Sequence, residues 1–155
     1  MKNIKKPMDV EVKLIHPEEN EYVRIGCHEI DERVEEITGF VKSRQGNLEG
    51  ILNGEVFSIP IIDIYYAESV DEKTFLYLKD ETYESRKRLY ELEEVLEPHH
   101  FVRISKSLVV NLMKIDSIKP FVNARFLCKL KNGEEIIISR KYVKDLKNKL
   151  RGEDR

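Results

Sequence analysis

From Ile51 to Ile138 the apolar residues fall in runs of strand length, broken every few positions by turn-forming residues, and one window alone has helical spacing. Period decides the element before composition does. Ile51, Val56, Ile59, Ile61, Ile62, Ile64, Tyr65 and Tyr66 are strand-prone, Asp71-Glu72-Lys73 breaks the run, and Phe75 and Tyr77 alternate with Leu76 and Leu78. Asp80-Glu81 reads as a hairpin turn. Leu89, Leu92 and Leu96 then recur at i, i+3 and i+7 until Pro98 stops the helix. Short strands follow at Phe101 to Ile104, Ser107 to Val110 and Ile115 to Ile118. Phe126 to Leu130 and Glu135 to Ile138 flank Lys131-Asn132-Gly133, whose Asn-Gly pair is the strongest short hairpin signal in the chain. The pattern describes an α+β chain that is mainly β.

The two ends read differently. Val10, Val12 and Leu14 alternate with Glu11 and Lys13 as in a half-buried strand, and a second short strand is expected at Tyr22 to Ile25. Asp31 is placed to cap a helix carrying Val34, Ile37 and Val41 on a dry face and ending near Gly46. At the other end Ser139 is placed to cap a helix with Val143, Leu146 and Leu150 on one side and lysines elsewhere. At 155 residues the chain suits one domain, or one with a small appendage. We divide it into a strand-strand-helix region over 1–50, a main domain over 51–150 and a polar tail over 151–155.

Several chemistries are missing from the sequence. It has no GxGxxG or GxxxxGK phosphate loop, no GxSxG elbow and no HExxH helix, so an enzyme is not expected and neither is a cofactor. Cys27 and Cys128 have no partner at metal-ligand spacing and read as packing residues in a reducing cytoplasm. His99-His100 reads as a solvated turn before a strand rather than a metal pair. The apolar runs are far shorter than the roughly 18 residues of a spanning helix, and the first residues lack the apolar core of a signal peptide.

The formal net charge of −2 hides a split. Residues 1–98 hold 13 basic and 23 acidic groups, whereas residues 99–155 hold 14 and 6. The basic groups gather in turns: Ser105-Lys106-Ser107 between two strands, Asn123 and Arg125 after Pro120, Arg140-Lys141 behind Ser139, and Lys73 in the break after the first β run. Taken alone these are solvated loops, or the basic face of a protein-interaction module, or the surface of an RNA-binding β domain. Arg103 either points outward to a phosphate or pairs with an acid of the 84–97 segment. Tyr65, Tyr66 and Phe75 suit core packing better than base stacking, because they sit in strands whose side chains alternate.

One stretch goes further. Phe101-Val-Arg-Ile-Ser-Lys-Ser-Leu-Val-Val-Asn111, then Ile115-Asp-Ser-Ile118, then Leu130-Lys-Asn-Gly-Glu-Glu-Ile-Ile-Ile-Ser-Arg-Lys-Tyr-Val-Lys-Asp-Leu146, resembles the LytTR family of DNA-binding domains. The resemblance covers about residues 55–150. It includes an opening strand like Ile61 to Ala67, a helix ending in a Pro-containing turn like Leu89 to Pro98, and the F-x-R-x-x-x-S-x-x-V-N core. Where the family often carries His, this chain has Ser105, which withdraws support for an imidazole contact there. Asn111 looks like a family landmark whose amide caps local backbone.

The resemblance implies an elongated, mostly antiparallel β domain that inserts loops into successive major grooves of double-stranded DNA. The DNA-binding candidates are Lys73, Arg103, Ser105, Lys106, Asn123, Arg125, Arg140 and Lys141. Arg140 suits a bidentate guanine contact, and the lysines and serines suit phosphates or bases equally. It further implies a cytoplasmic transcriptional regulator, a homodimer that forms on repeated sites in DNA, and an inhibitory membrane protein as partner. Residues 1–50 are too few for the doubly wound sheet of a receiver domain.

Overall fold

Hairpin chemistry lays out the molecule, a computed structural model that describes residues 6–152. Asn53-Gly54 joins β1 (Asn47–Leu52) to β2 (Glu55–Pro60), and Asn132-Gly133 lies between β9 (Phe126–Leu130) and β10 (Glu135–Ile138). Asn53, Gly54 and Gly133 adopt φ of +52°, +79° and +90°, left-handed values that Asn and Gly tolerate best. Between these hairpins lie β3 (Tyr66–Val70), β4 (Lys73–Tyr77), β5 (Thr82–Ser85), β6 (Phe101–Ser105), β7 (Leu108–Asn111) and β8 (Ile115–Pro120). The ten strands form a seven-stranded sheet of order β2-β1-β5-β4-β3-β7-β6 and a three-stranded sheet of order β10-β9-β8, antiparallel throughout. The helices are α1 (Glu32–Ser43), α2 (Leu89–Leu96) and α3 (Arg140–Arg151).

The middle strands of the large sheet are covered on both faces. All four residues of β7 are buried, and the pleat sends them alternately to two cores. Val109 joins Ala67, Leu76, Leu92, Leu96 and Phe101 beneath α2 and the β1–β2 hairpin. Leu108 and Val110 join Tyr66, Val102, Ile104, Ile138 and Leu146 beneath the small sheet and α3. Each large apolar side chain so enclosed contributes about 1.5–3 kcal/mol relative to exposure. β1 meets β5 through the single pair Ile51 and Glu84, and there Gly50 lies so close to Tyr83 that an added Cβ would sit 2.8 Å from its Cβ.

The amino-terminal strands do not form. Val10, Val12 and Leu14 are 91%, 90% and 99% exposed, and the described residues before Asp31 hold a turn at His16–Glu19 and no strand. Alternation makes a strand only where a neighbour accepts its backbone groups, and no described residue does so here. Cys27, expected to pack, is exposed in this same segment, whereas Cys128 is buried. α1 forms with the expected cap, Asp31 Oδ1 accepting from the Val34 amide at 3.0 Å. It stops at Ser43, before Gly46, and its face is not dry: Val34 is buried but Ile37 and Phe40 stay 36% and 41% exposed.

Two other expectations change. The strand expected from Ile61 to Ala67 begins only at Tyr66; Ile61–Asp63 is a 3-10 turn, closed by the Ile64 amide on the Ile61 carbonyl at 3.1 Å. Ile61 and Ile64 are apolar because this turn inserts both into the core. Ser139 precedes α3 without a side-chain cap, and Leu150 on that helix is 45% exposed.

α1 is rooted in the β structure through its C-cap. Arg44, 9% exposed, donates to the His99 carbonyl at 2.9 Å and lies 3.5 Å from Asn111 Oδ1. Burial lowers the pKa of its guanidinium from the ordinary value. Asn111 is fully buried, donating to the Ile64 carbonyl at 2.8 Å and accepting from the Met113 amide at 3.0 Å, a cap on local backbone as the sequence suggested.

Candidate nucleic-acid interface

Strand register gathers the candidate residues at one end of the molecule. Val70 pairs with Lys73, so Asp71 and Glu72 form the tip of the β3–β4 turn and Lys73 opens β4. Glu68 pairs with Leu108 and the Ser69 amide donates to the Ser107 carbonyl at 2.8 Å, which sets that turn beside Ser105-Lys106-Ser107 between β6 and β7. The Ser139 amide donates to the Ile104 carbonyl at 2.9 Å and ties the start of α3, with exposed Arg140 and Lys141, to the same end of β6. Phe126 pairs with Ile138, so the β8–β9 turn holding Asn123 and Arg125 lies there too.

These side chains are not equally available. Lys73, Lys106, Arg140 and Lys141 are exposed. Arg103 resolves to the acid-paired alternative: its Nη1 meets Glu93 of α2 at 2.8 Å, its Nε donates to the Ser105 carbonyl at 2.8 Å, and its Nη2 donates to the Lys106 carbonyl. Each of the three guanidinium nitrogens thus has a partner within the protein, and the side chain shapes the turn. Ser105 Oγ accepts from the Ser107 amide at 3.2 Å, a local turn bond. Arg125 donates from Nε to the Val122 carbonyl at 3.2 Å and lies 5.2 Å from the Phe121 ring centroid. Asn123, at φ +58°, is exposed.

Cations beyond the sequence candidates occupy this end. Ala124 and Arg140 line an open groove of about 490 Å³ together with Lys144, Lys147 and Arg151. Their spacing of four, three and four residues places Arg140, Lys144, Lys147 and Arg151 on one helix face, a pattern readable from sequence but not separable there from an ordinary solvated face. Arg86-Lys87-Arg88 follows β5, whose Ser85 pairs with Thr74 beside Lys73. Averaging over an acid-rich segment concealed this run.

Of the three strand aromatics, Tyr65 and Tyr66 serve the core, whereas Phe75 is only half-buried. Tyr65 and Tyr66 are each 7% exposed, and the Tyr66 and Tyr77 rings stack with centroids 4.3 Å apart. Burial, then the hydrogen bond from the Tyr66 hydroxyl to Glu134 at 2.7 Å, raise the Tyr66 pKa far above the phenol range. His99 and His100 are half-buried rather than solvated, the former accepting from Arg44 through its carbonyl. No group of three or more His, Cys, Asp or Glu is arranged for a metal ion among the described residues.

Known proteins resemble this chain in sequence and fold. The LytTr DNA-binding domain family matches residues 54–151. The transcriptional regulatory protein YpdB of Escherichia coli is 39% identical over 89 residues, which are 57% of this chain and 36% of that protein. The chain therefore spans little more than a third of that relative. An uncharacterized HTH-type transcriptional regulator of Staphylococcus aureus is 29% identical over 135 residues, 86% of this chain and 91% of that protein. A LytTr DNA-binding domain from Bacillus cereus aligns with a TM-score of 0.64 and 25% identity, over 68% of this chain and 97% of that one. With the F-x-R-x-x-x-S-x-x-V-N core lying on β6 and β7 and the family match running from β1–β2 turn to α3, the chain belongs to the LytTr DNA-binding domain family.

Proposed function

We propose that the protein is a sequence-specific, double-stranded-DNA-binding transcriptional regulator that reads a repeated motif through loops in the major groove. The observation that carries this reading is the gathering of Lys73, Lys106, Arg140 and Lys141 at the same end of the strands. Long cationic side chains on rigidly paired turns reach groove edges and phosphates more readily than short ones on strands. The acid-rich remainder of the chain can then face away from the duplex.

Two copies on neighbouring motifs would multiply a modest affinity, so we expect a homodimer on DNA. Residues 6–30, with Val10, Val12, Leu14 and Val23 exposed, are the natural surface for a regulatory partner, which the resemblance suggests is an inhibitory membrane protein in contact with the cytoplasm. No helix among the described residues is itself long and apolar enough to cross a membrane. Removing residues 1–30 tests this role without touching the core-bound Arg44. Unchanged oligomeric state, unchanged DNA binding and no lost partner would refute it.

Selection of bound duplexes from a random pool tests the main reading. A recovered motif that repeats at helical-turn spacing supports it, and Lys106→Ala and Lys141→Ala should then lower affinity for that motif, each lost base contact costing about 1–3 kcal/mol. If about five phosphates are neutralised, log K falls against log salt with a slope of roughly −4 to −5. A flat slope, or preference for RNA, sinks it.

A further inference from the structure

Arg86, Lys87 and Arg88 stand on a fixed ledge at the basic end. Their backbone follows β5 directly, and Ser85 and Thr74, which pair there, are 7% and 5% exposed. The Lys87 amide donates to Ser85 Oγ at 3.1 Å and the Arg88 amide to Glu91 Oε1 at 3.0 Å, so the tripeptide is pinned at its middle and last residues. All three side chains are exposed, and none forms an ion pair with another described residue. They supply three of the five basic groups in residues 51–98, against twelve acids. A solvated loop in that segment has no need of such a cluster.

Strand order fixes where the ledge lies. Along this end of the sheet come the exit of β5, the β3–β4 turn, the β6–β7 turn and, bound to β6, the start of α3. At about 5 Å between neighbouring strands, β5 and β6 are roughly 20 Å apart, over half of a ~34 Å turn of duplex. Asp71 and Glu72 form the tip between the ledge and Lys106. Carboxylates are repelled by phosphates but can accept a hydrogen bond from the cytosine amino group in the major groove. An acidic tip over the groove leaves the cations on its flanks to meet the phosphate ridge.

We propose that Arg86, Lys87 and Arg88 form a phosphate-backbone contact on double-stranded DNA that lies outside the base-reading loops, an inference that rests on the DNA-binding reading above. It sets footprint and register while carrying no sequence information.

The test compares the full chain with the Arg86→Ala/Lys87→Ala/Arg88→Ala variant on the duplex selected by the wild type, with circular dichroism and thermal melting to verify the fold. Two or three lost phosphate contacts make the salt slope shallower by roughly 2–3, so the affinity ratio between wild type and variant narrows about 10- to 40-fold from 50 to 200 mM salt. The variant still selects the wild-type motif, and Arg86→Lys/Arg88→Lys keeps the wild-type slope. An unchanged slope in the Ala variant overturns the contact while the DNA-binding reading stands. A changed motif also overturns it, because the residues would then be reading bases. If the wild type selects no motif, both readings fall together.

Discussion

Glu93 on α2 and Arg103 on β6 meet at 2.8 Å, and the same guanidinium holds the carbonyls of Ser105 and Lys106. A helix packed on one face of the sheet thereby sets the shape of the turn that presents Lys106. Arg103→Ala should weaken binding to the selected duplex roughly tenfold, comparable to one lost base contact, with the salt slope unchanged. Arg103→Lys does not rescue it, because an ammonium lacks the planar fork. Glu93→Ala has a smaller effect, since half-exposed ion pairs contribute about 0–1 kcal/mol. Titrations at several salt concentrations decide the matter: a slope shallower by about 1 would make Arg103 a phosphate ligand.

Asn111 closes the far end of β7 against the turn before β3. Asn111→Ala leaves the Ile64 carbonyl and the Met113 amide without their partner and weakens the setting of Arg44. Each buried group so stranded costs about 1–3 kcal/mol, so urea denaturation should show a loss of roughly 2–5 kcal/mol. A change under 1 kcal/mol would mean that water replaces the amide.

His100, at φ +68°, has its ring 5.0 Å from that of Phe40. Burial, followed by the charges of Arg44 and His99, holds its pKa below the ordinary value. The unfolded chain therefore takes up the proton first. Stability from this site is complete above the unfolded pKa of about 6.5 and declines as pH falls through it. Urea midpoints at pH 8, 7, 6 and 5 should show that decline, and His100→Asn, which tolerates left-handed backbone, should reduce it. An equal decline in the variant would assign it to other groups.

The β3–β4 turn places Asp71 and Glu72 at φ of +49° and +67°. Asp tolerates the left-handed region, but Glu is strained there by roughly 1–2 kcal/mol. Glu72→Gly should raise stability by about 1 kcal/mol, part of the relief being offset by the freer unfolded chain. Thermal melting reads this directly, and a lower Tm would show that the Glu72 side chain supports the turn.

Local signals in the sequence make much of the β domain legible. Asn132-Gly133 and the Leu89, Leu92, Leu96 spacing each specify an element through their own chemistry, and the Phe101 to Asn111 motif identified the family. Asn53-Gly54 carries the same hairpin signal, but the long strand-prone run after it masks where the strand it opens should end. That run conceals a 3-10 turn at Ile61, since burial from a turn and burial from a strand leave the same apolar letters. Alternation at Val10 to Leu14 misled for the opposite reason: the pattern was present but no neighbouring strand was. At the basic end the charges were legible, yet their grouping was not. Whether Arg103 reaches outward depends on Glu93 ten positions earlier, and only register puts Arg86 beside Lys73.

The two thiols differ in a way that gives experimental access to the amino-terminal segment. Cys128 is wholly enclosed beneath the small sheet, and burial pushes its pKa up to about 11, so little of the reactive thiolate is present near neutral pH. Cys27 is open to solvent. A maleimide dye added to the native protein should therefore attach at Cys27 alone, placing a single fluorescent reporter on the amino-terminal segment proposed above to meet a regulator, with the loops of the basic end unlabelled.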